Sequence, residues 1–110
     1  MRNLFSRCCL AAVLACGILF ADVTGVQAQD GAATYKSKCV VCHGPDGKGS
    51  SMGIKLGASD LTSAEVQQQT DAQLTDVIKN GKGKMPGFEG RLQDPEIKDL
   101  IAFIRTLAKK

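Results

Sequence analysis

Aromatic side chains are scarce in this sequence of 110 residues, which contains no Trp, one Tyr and four Phe. Beyond the first 28 residues, the only phenylalanines are Phe88 and Phe103. Charge of either sign is also never concentrated, because residues 29–110 carry 12 Lys and Arg against 10 Asp and Glu. The sequence has neither a basic run nor basic residues interleaved with aromatics, so we expect no nucleic-acid partner.

Sustained alternation of apolar and polar residues is absent too, so the sequence predicts no β-strands. The clearest helix is DPEIKDLIAFIRTLAKK, in which Asp94 is the expected N-cap, Pro95 lies in the first turn and apolar residues recur every three or four positions. Shorter helices are predicted over 30–43, after Ser63, and from Thr70 or Asp71 to Asn80, with glycine-rich loops over 44–53 and 82–93. We therefore expect an all-α fold of three to five short helices.

The first 28 residues have the three parts of a secretory signal peptide. Arg2 and Arg7 make a basic start, residues 8–21 form an uncharged apolar run, and residues 26–28 offer a cleavage site. The run of 14 residues is shorter than the roughly 20 that a membrane-spanning helix needs. We expect residues 1–28 to be removed and residues 29–110 to form one exported, periplasmic domain. An uncleaved membrane anchor and lipidation at Cys16 are the alternatives.

Cleavage after Ala28 would leave two of the five cysteines, Cys39 and Cys42, in the stretch CVVCH that ends in the only histidine, His43. Exported proteins ordinarily use cysteines in disulfides, but this pair closes a loop too short to staple a fold. A domain of 82 residues with so few aromatics is also short of core. A large apolar cofactor at its centre would supply what the core lacks.

The CVVCH stretch has three chemical interpretations. A redox dithiol belongs at a helix N-terminus in a βαβ unit, whereas here the pair follows a predicted helix. A structural zinc site needs four N or S ligands, and this domain offers three within five residues. Covalent haem attachment uses the whole C-x-x-C-H motif, because the thiols add to the vinyl groups and the imidazole reaches the iron. We interpret Cys39 and Cys42 as haem thioethers and His43 as the proximal iron ligand.

Two methionines could occupy the other axial position of the iron. Met52 follows His43 by nine residues, too few to wrap the macrocycle, whereas Met85 follows by 42 residues that include two predicted helices. A methionine there raises the reduction potential and leaves no open site, which suits electron transfer. We predict that Met85 is the distal ligand. A displaceable sixth ligand, as in a peroxidase-like or gas-binding haem protein, is the alternative.

Four successive stretches resemble the landmarks of the small class I cytochromes c of bacteria: GAATYKSKCVVCHGPDGKG, DLTSAEV, GKGKMPGFEGRL and IKDLIAFIRTL. The resemblance covers residues 30–107. It implies a cytochrome c-like fold around one covalently attached haem c, and an electron carrier rather than an enzyme. It also implies that the first and last helices cross at Gly31, Tyr35, Leu100 and Phe103.

The sequence departs from this family beside the histidine. Many members have a proline about a dozen residues later, whose carbonyl accepts the imidazole N–H. The stretch KLGASD has no proline, so we expect a backbone carbonyl between Leu56 and Ser59 to take that role. The candidates for contacts to the haem propionates are Lys55, Lys82, Lys84 and Arg91.

The resemblance implies a monomer that exchanges electrons with donor and acceptor proteins, such as membrane or periplasmic redox complexes. Lys48, Lys82 and Lys84 are candidates for steering an acidic partner. An electron-entry subunit of a larger oxidoreductase is a further alternative.

Overall fold

The computed structural model describes residues 30–109, and the signal peptide expected over residues 1–28 lies outside them. Six helices follow one another in the described part: α1 (Gly31–Lys38), α2 (Val40–His43), α3 (Ser51–Lys55), α4 (Ala64–Gln67), α5 (Asp71–Asn80) and α6 (Asp94–Thr106). Residues 30–109 contain two isolated bridges but no strand. The all-α prediction is confirmed. The helices outnumber the expected three to five because α2, α3 and α4 are single turns of four or five residues.

Several helix ends lie where the sequence predicts them. The carboxylate of Asp30 caps α1 by accepting a backbone N–H of the first turn. Thr70 caps α5 and forms a capping box with Gln73. The same helix ends at Asn80, where Gly81 takes a positive φ of 77° that a residue with a side chain would adopt only with strain. The identity of the residue at each of these ends is therefore sufficient to set the helix boundary.

Other helix boundaries were predicted wrongly. The continuous helix expected over 30–43 is interrupted at Cys39, which has a φ of −113° and is both the C-cap of α1 and the N-cap of α2. The N-cap of α6 is Gln93 rather than Asp94, because the Glu96 carboxylate accepts the Gln93 N–H at 2.7 Å. The acidic residue three positions into the helix decides this end.

The expected loop over 44–53 is wrong in its second half, since α3 begins at Ser51. The hydroxyl of Ser50 caps this helix by accepting the Gly53 N–H at 2.9 Å. The sequence does not indicate this helix, because it is only five residues long and glycines, which favour loops, lie on both sides of it.

The first and last helices cross at the four positions that the resemblance implies. A Cβ at Gly31 would collide with the backbone carbonyl of Asp99, so only a glycine allows this close approach. The rings of Tyr35 and Phe103 pack with centroids 5.0 Å apart at 48°, and Leu100 is 1% exposed. This crossing places the start of the CVVCH motif directly after a helix that is anchored to α6 by its buried residues Gly31 and Tyr35.

Arg105 joins α6 to the junction between α4 and α5. Its guanidinium donates to the carbonyls of Gln67 at 2.8 Å and Gln69 at 2.6 Å, and to the carboxylate of Asp71 at 2.7 Å. One planar cation thus satisfies the free carbonyls at the end of α4. Within residues 30–109, no helix is both long enough and apolar enough to traverse a lipid bilayer.

Candidate haem-binding site

The predicted attachment residues occupy a single turn of chain after α1. The N–H of His43 donates to the carbonyl of Cys39 at 2.8 Å, so these two residues are one helical turn apart. Cys42 is three positions after Cys39, so it lies on the same side of the turn, and its N–H also donates to the Cys39 carbonyl, at 3.2 Å. Both thiols are free, and Cys39 is buried while Cys42 is partly exposed.

The environment of the thiols does not suit a redox dithiol. Burial, with a contribution from the neighbouring Cys42, raises the pKa of the Cys39 thiol to about 11. Cys39 is both the C-cap of α1 and the N-cap of α2, and α2 has only four residues, so no long helix directs its N-terminus at this thiol. Among residues 30–109, no three His, Cys, Asp or Glu side chains form a metal-ion cluster of the zinc type.

The imidazole of His43 is oriented by one backbone carbonyl. Its Nδ1 lies 3.2 Å from the carbonyl oxygen of Ser59, which accepts the ring N–H and leaves Nε2 with a free lone pair. Burial lowers the pKa of His43, and the bond to Ser59 opposes this shift only in part, so the neutral form that binds metals is favoured. The acceptor lies within the interval Leu56 to Ser59 that the sequence indicates.

Helix α3 is tied to the motif by the backbone. The N–H groups of Gly49 and Ser50 donate to the carbonyls of His43 at 2.8 Å and Cys42 at 2.9 Å. A Cβ at Gly53 would collide with the Cys42 carbonyl, so α3 touches α2 main chain to main chain. Sequence reasoning missed this contact. The small residues of GSSMG are the feature of the sequence that could have indicated it, because two backbones can approach closely only where side chains are small.

The segment that carries Met85 is a tight turn. The N–H and carbonyl of Met85 pair with those of Lys82 at 2.9 and 3.2 Å, and Gly83 between them has a φ of 57°. The turn lies against the end of α5, where a Cβ at Gly81 would come within 2.5 Å of the Met85 carbonyl. The Met85 side chain is half-buried and packs against the core cluster that contains Cys39.

Met52 lies in a different environment. It is 48% exposed in α3, and the backbone of that helix rests on Cys42. The candidates for propionate contacts are exposed as well: Lys55, Lys82, Lys84 and Arg91. The guanidinium of Arg91 lies over the ring of Phe88 at 5.1 Å. Their assignment stays a prediction.

The donor set fits a covalently attached haem. Two free thiols stand three residues apart, a neutral imidazole follows them with one nitrogen available, and a thioether packs against the same core. These are the groups that thioether attachment and His/Met ligation require. The fold and the site together define a small c-type cytochrome.

Comparison with known proteins agrees. The family model described as "Cytochrome C oxidase, cbb3-type, subunit III" matches residues 26–104, so the chain belongs to this family of c-type cytochromes. The Leptolyngbya boryana cytochrome c6 is 31% identical over 84 residues, which are 76% of this chain and 96% of that protein. The cbb3-type cytochrome c oxidase subunit FixP of Bradyrhizobium sp. (strain ORS 278) is 36% identical over 85 residues. That match covers 76% of this chain but 28% of the subunit.

A solved structure also matches. The KustC0563 c-type cytochrome superposes with a TM-score of 0.69 and 33% identity, covering 73% of this chain and 99% of that one. The predicted cytochrome c-like fold and the expectation of one covalently bound haem c are therefore confirmed. The chain spans just over a quarter of the length of the cbb3-type relatives, at 28%.

Proposed function

We propose that this protein carries single electrons between larger redox proteins through a haem c held by Cys39, Cys42, His43 and Met85. Haem c supplies a one-electron iron couple, whose potential is set by its axial ligands. The chain would hold the group, keep both axial positions filled and leave no site for a substrate. The turn that presents Met85 is the observation that carries this proposal.

The proximal side is supported by preorganisation. The carbonyl of Ser59 holds one tautomer of His43, so the ligating nitrogen needs no reorientation. Tyr35 supports Gly44, the residue that follows His43, since the Tyr35 hydroxyl donates a buried hydrogen bond of 2.6 Å to the Gly44 carbonyl. The attachment turn is thus held from two sides.

The distal side favours Met85 over Met52. Gly81 and Gly87 allow the Met85 turn to lie close against α5. A Cβ at Gly87 would come within 2.5 Å of the Lys79 carbonyl oxygen, so a residue with a side chain would not fit there. The thioether therefore extends from a closely packed backbone, and the Met85 side chain packs against the core cluster that includes Cys39. Met52 is exposed and attached through α3 to the proximal turn itself. A ligand on the opposite side of the iron has to come from elsewhere in the chain.

Location and partners are part of the same proposal. We infer an exported, periplasmic monomer made of residues 29–110, with residues 1–28 as its leader and redox proteins as donor and acceptor. A second candidate role is electron entry to a larger oxidoreductase. The match to FixP and CcoP subunits of cbb3-type oxidases favours it. The size of the protein purified from its source distinguishes a free carrier from a subunit, and the mass of its N-terminus tests cleavage after Ala28.

The distal ligand is tested by Met85→Leu with Met52→Leu as the matched control. Met85→Leu should abolish the long-wavelength sulfur-to-iron absorption of the oxidised protein, lower the reduction potential and open the reduced protein to carbon monoxide. Met52→Leu should do none of these. Carbon monoxide binding to the unmodified protein would instead support a ligand-binding or peroxidase-like haem.

Covalent attachment has its own test. Pyridine haemochrome spectra of the protein matured with its c-type assembly machinery should show haem joined by two thioethers. Cys39→Ser and Cys42→Ser should each give a spectrum with one remaining vinyl group. Exported protein without covalent haem would contradict the assignment of both cysteines.

A further inference from the structure

Thr62 is a polar residue that the fold buries, at 5% of full exposure. Its methyl group lies beside Gly47, where a Cβ would be 3.6 Å from the Thr62 Cγ2. Its hydroxyl donates to the carboxylate of Asp60 at 2.6 Å. Buried polar groups are costly unless they are hydrogen-bonded, so the position of this hydroxyl is tied to that of the Asp60 carboxylate.

The backbone at Asp60 is held by hydrogen bonds at both its side chain and its carbonyl. The N–H of Thr62 donates at 2.8 Å to the same carboxylate oxygen that accepts the Thr62 hydroxyl. The carbonyl of Asp60 accepts the N–H and the hydroxyl of Ser63 at 3.1 and 2.7 Å. Such side-chain contacts with nearby backbone groups fix the conformation of a turn.

This turn begins one residue after the acceptor of the imidazole N–H. The carbonyl of Ser59 and the nitrogen of Asp60 belong to one planar peptide unit, so a rotation at Asp60 redirects that carbonyl. Its oxygen lies 3.2 Å from the Nδ1 of His43. Ser59 itself is exposed, so packing of its side chain does not hold it. The direction of the carbonyl therefore depends on the backbone at Asp60.

Two other parts of the chain hold the same segment in place. The N–H of Leu61 donates to the Gly47 carbonyl at 2.8 Å, and the N–H of Lys109 donates to the Thr62 carbonyl at 3.3 Å. The ammonium group of Lys109 also lies 3.7 Å from the Asp60 carboxylate. Exposed ion pairs of this kind contribute little, so the hydrogen bonds are the main restraint.

We propose that Asp60 and Thr62 are positioning residues for His43, because together they direct the Ser59 carbonyl at the imidazole N–H. This role rests on the electron-carrier function proposed above, in which His43 binds the haem iron. A firmly held acceptor makes the imidazole a stronger electron donor, which favours oxidised iron and lowers the reduction potential. No proline restricts the backbone in KLGASD, so these hydrogen bonds supply the restraint.

The test uses the haem-loaded protein. Thr62→Val keeps the shape of the side chain, but a methyl group needs about 3.5 Å from the carboxylate oxygen and so displaces it. The Nδ1–H of His43 in the reduced protein should exchange with solvent about tenfold faster by ¹H NMR, and the midpoint reduction potential should rise. Thr62→Ser keeps the hydroxyl and should restore both values. The matched control, Thr75→Val, removes a hydroxyl that donates to the Asp71 carbonyl at 2.7 Å in α5, and it should change neither.

A second set of variants approaches the same contact from Asp60. Asp60→Asn keeps an oxygen that can accept from Thr62, so exchange of the His43 N–H should stay slow. Asp60→Ala removes that oxygen and should accelerate exchange about as much as Thr62→Val. Lys109→Gln removes the neighbouring charge alone and should leave exchange unchanged. This set also decides the outcome if Thr62→Val yields no haem-loaded protein.

Several outcomes would overturn the positioning role. They are an exchange rate and a potential in Thr62→Val equal to those of the unmodified protein, equal changes in Thr75→Val, and equal exchange in Asp60→Ala and Asp60→Asn. Lower stability of Thr62→Val in urea without a change in exchange or potential would show a structural role alone.

Failure of the proposed function gives a different result. If the unmodified protein has no reducible haem, the electron-carrier function fails and the positioning role falls with it. A reducible haem whose potential and His43 N–H exchange do not respond to Thr62→Val or to Asp60→Ala contradicts the positioning role alone.

Discussion

The hydroxyl of Tyr35 donates a buried hydrogen bond of 2.6 Å to the carbonyl of Gly44. Tyr35 lies in α1 and is 2% exposed, while Gly44 is the residue that follows His43 and ends α2. This bond fastens the end of the CVVCH turn to the crossing of α1 and α6. The only tyrosine of the sequence therefore combines packing against Phe103 with support of the haem-attachment turn.

Tyr35→Phe should destabilise the haem-loaded protein by about 1 kcal/mol. The ring would still pack, and the Gly44 carbonyl would keep the N–H of Gly47 at 3.3 Å, so the loss is that of one hydrogen bond. Urea unfolding followed by circular dichroism measures it. Ser37→Ala removes an exposed hydroxyl from the same helix and should cost almost nothing. Equal stability of Tyr35→Phe and the unmodified protein would show that this hydroxyl adds nothing.

Stability at high pH should also depend on Tyr35. Burial raises the pKa of its phenol from the ordinary 10.0 to about 12. A raised pKa means that the folded state favours the protonated phenol. Its contribution is complete below pH 10, and it is lost as the pH rises through the pKa of the folded state. The free energy of unfolding should fall between pH 10 and 12 by up to about 1.4 kcal/mol per pH unit from this group. Tyr35→Phe should remove that part of the slope, and a parallel decline in both proteins would argue against it.

Gly53→Ala should disrupt the proximal side of the site. A methyl group there collides with the backbone carbonyl of Cys42, which cannot move without displacing the attachment turn. We expect a loss of about 1–3 kcal/mol in stability and a lower yield of covalent haem. Urea unfolding and pyridine haemochrome content measure the two effects. Ser51→Ala changes an exposed residue of the same helix and should leave both unchanged.

Arg105→Lys should weaken the link between α6 and the α4–α5 junction. An ammonium group cannot reach the Gln67 and Gln69 carbonyls and the Asp71 carboxylate at once, so the variant should lose about 1–2 kcal/mol. Thermal unfolding of the haem-loaded protein checks this. Lys98→Arg is the control, because Lys98 is an exposed cation on the same helix. A similar change in the melting temperature of both variants would contradict a specific role for Arg105.

Helix signals in the sequence are reliable where one side chain decides the backbone. Asp30 and Thr70 accept N–H groups from the turn that follows them, and Gly81 takes the positive φ that ends α5. These effects act over a few residues, so they can be predicted without the fold. Helix α3 is the counterexample. Its residues lie among glycines, and it is held by the Cys42 carbonyl and the Ser50 hydroxyl, which reaches back to Val41.

The features of the site can likewise be divided into those that the sequence indicates and those that only the fold identifies. Cys39, Cys42 and His43 lie within five residues in CVVCH, and this spacing, together with the lack of predicted strands and of a fourth zinc ligand, indicates haem attachment. The sequence restricts the acceptor of the imidazole N–H to a backbone carbonyl between Leu56 and Ser59. Only the tertiary structure identifies the carbonyl of Ser59 as that acceptor. Backbone carbonyls carry no sequence signature, because every residue has one.

The sequence by itself determined the class of this protein. One histidine behind two closely spaced cysteines, a methionine beyond two helices and a core poor in aromatics are chemical facts that need no coordinates. Tertiary structure alone decided which carbonyl orients His43, which methionine packs against the core and which apolar side chains stay exposed on α3. The reason is physical. Covalent and ligand chemistry depends on residue identity, whereas orientation, burial and exposure depend on contacts between segments far apart in the chain.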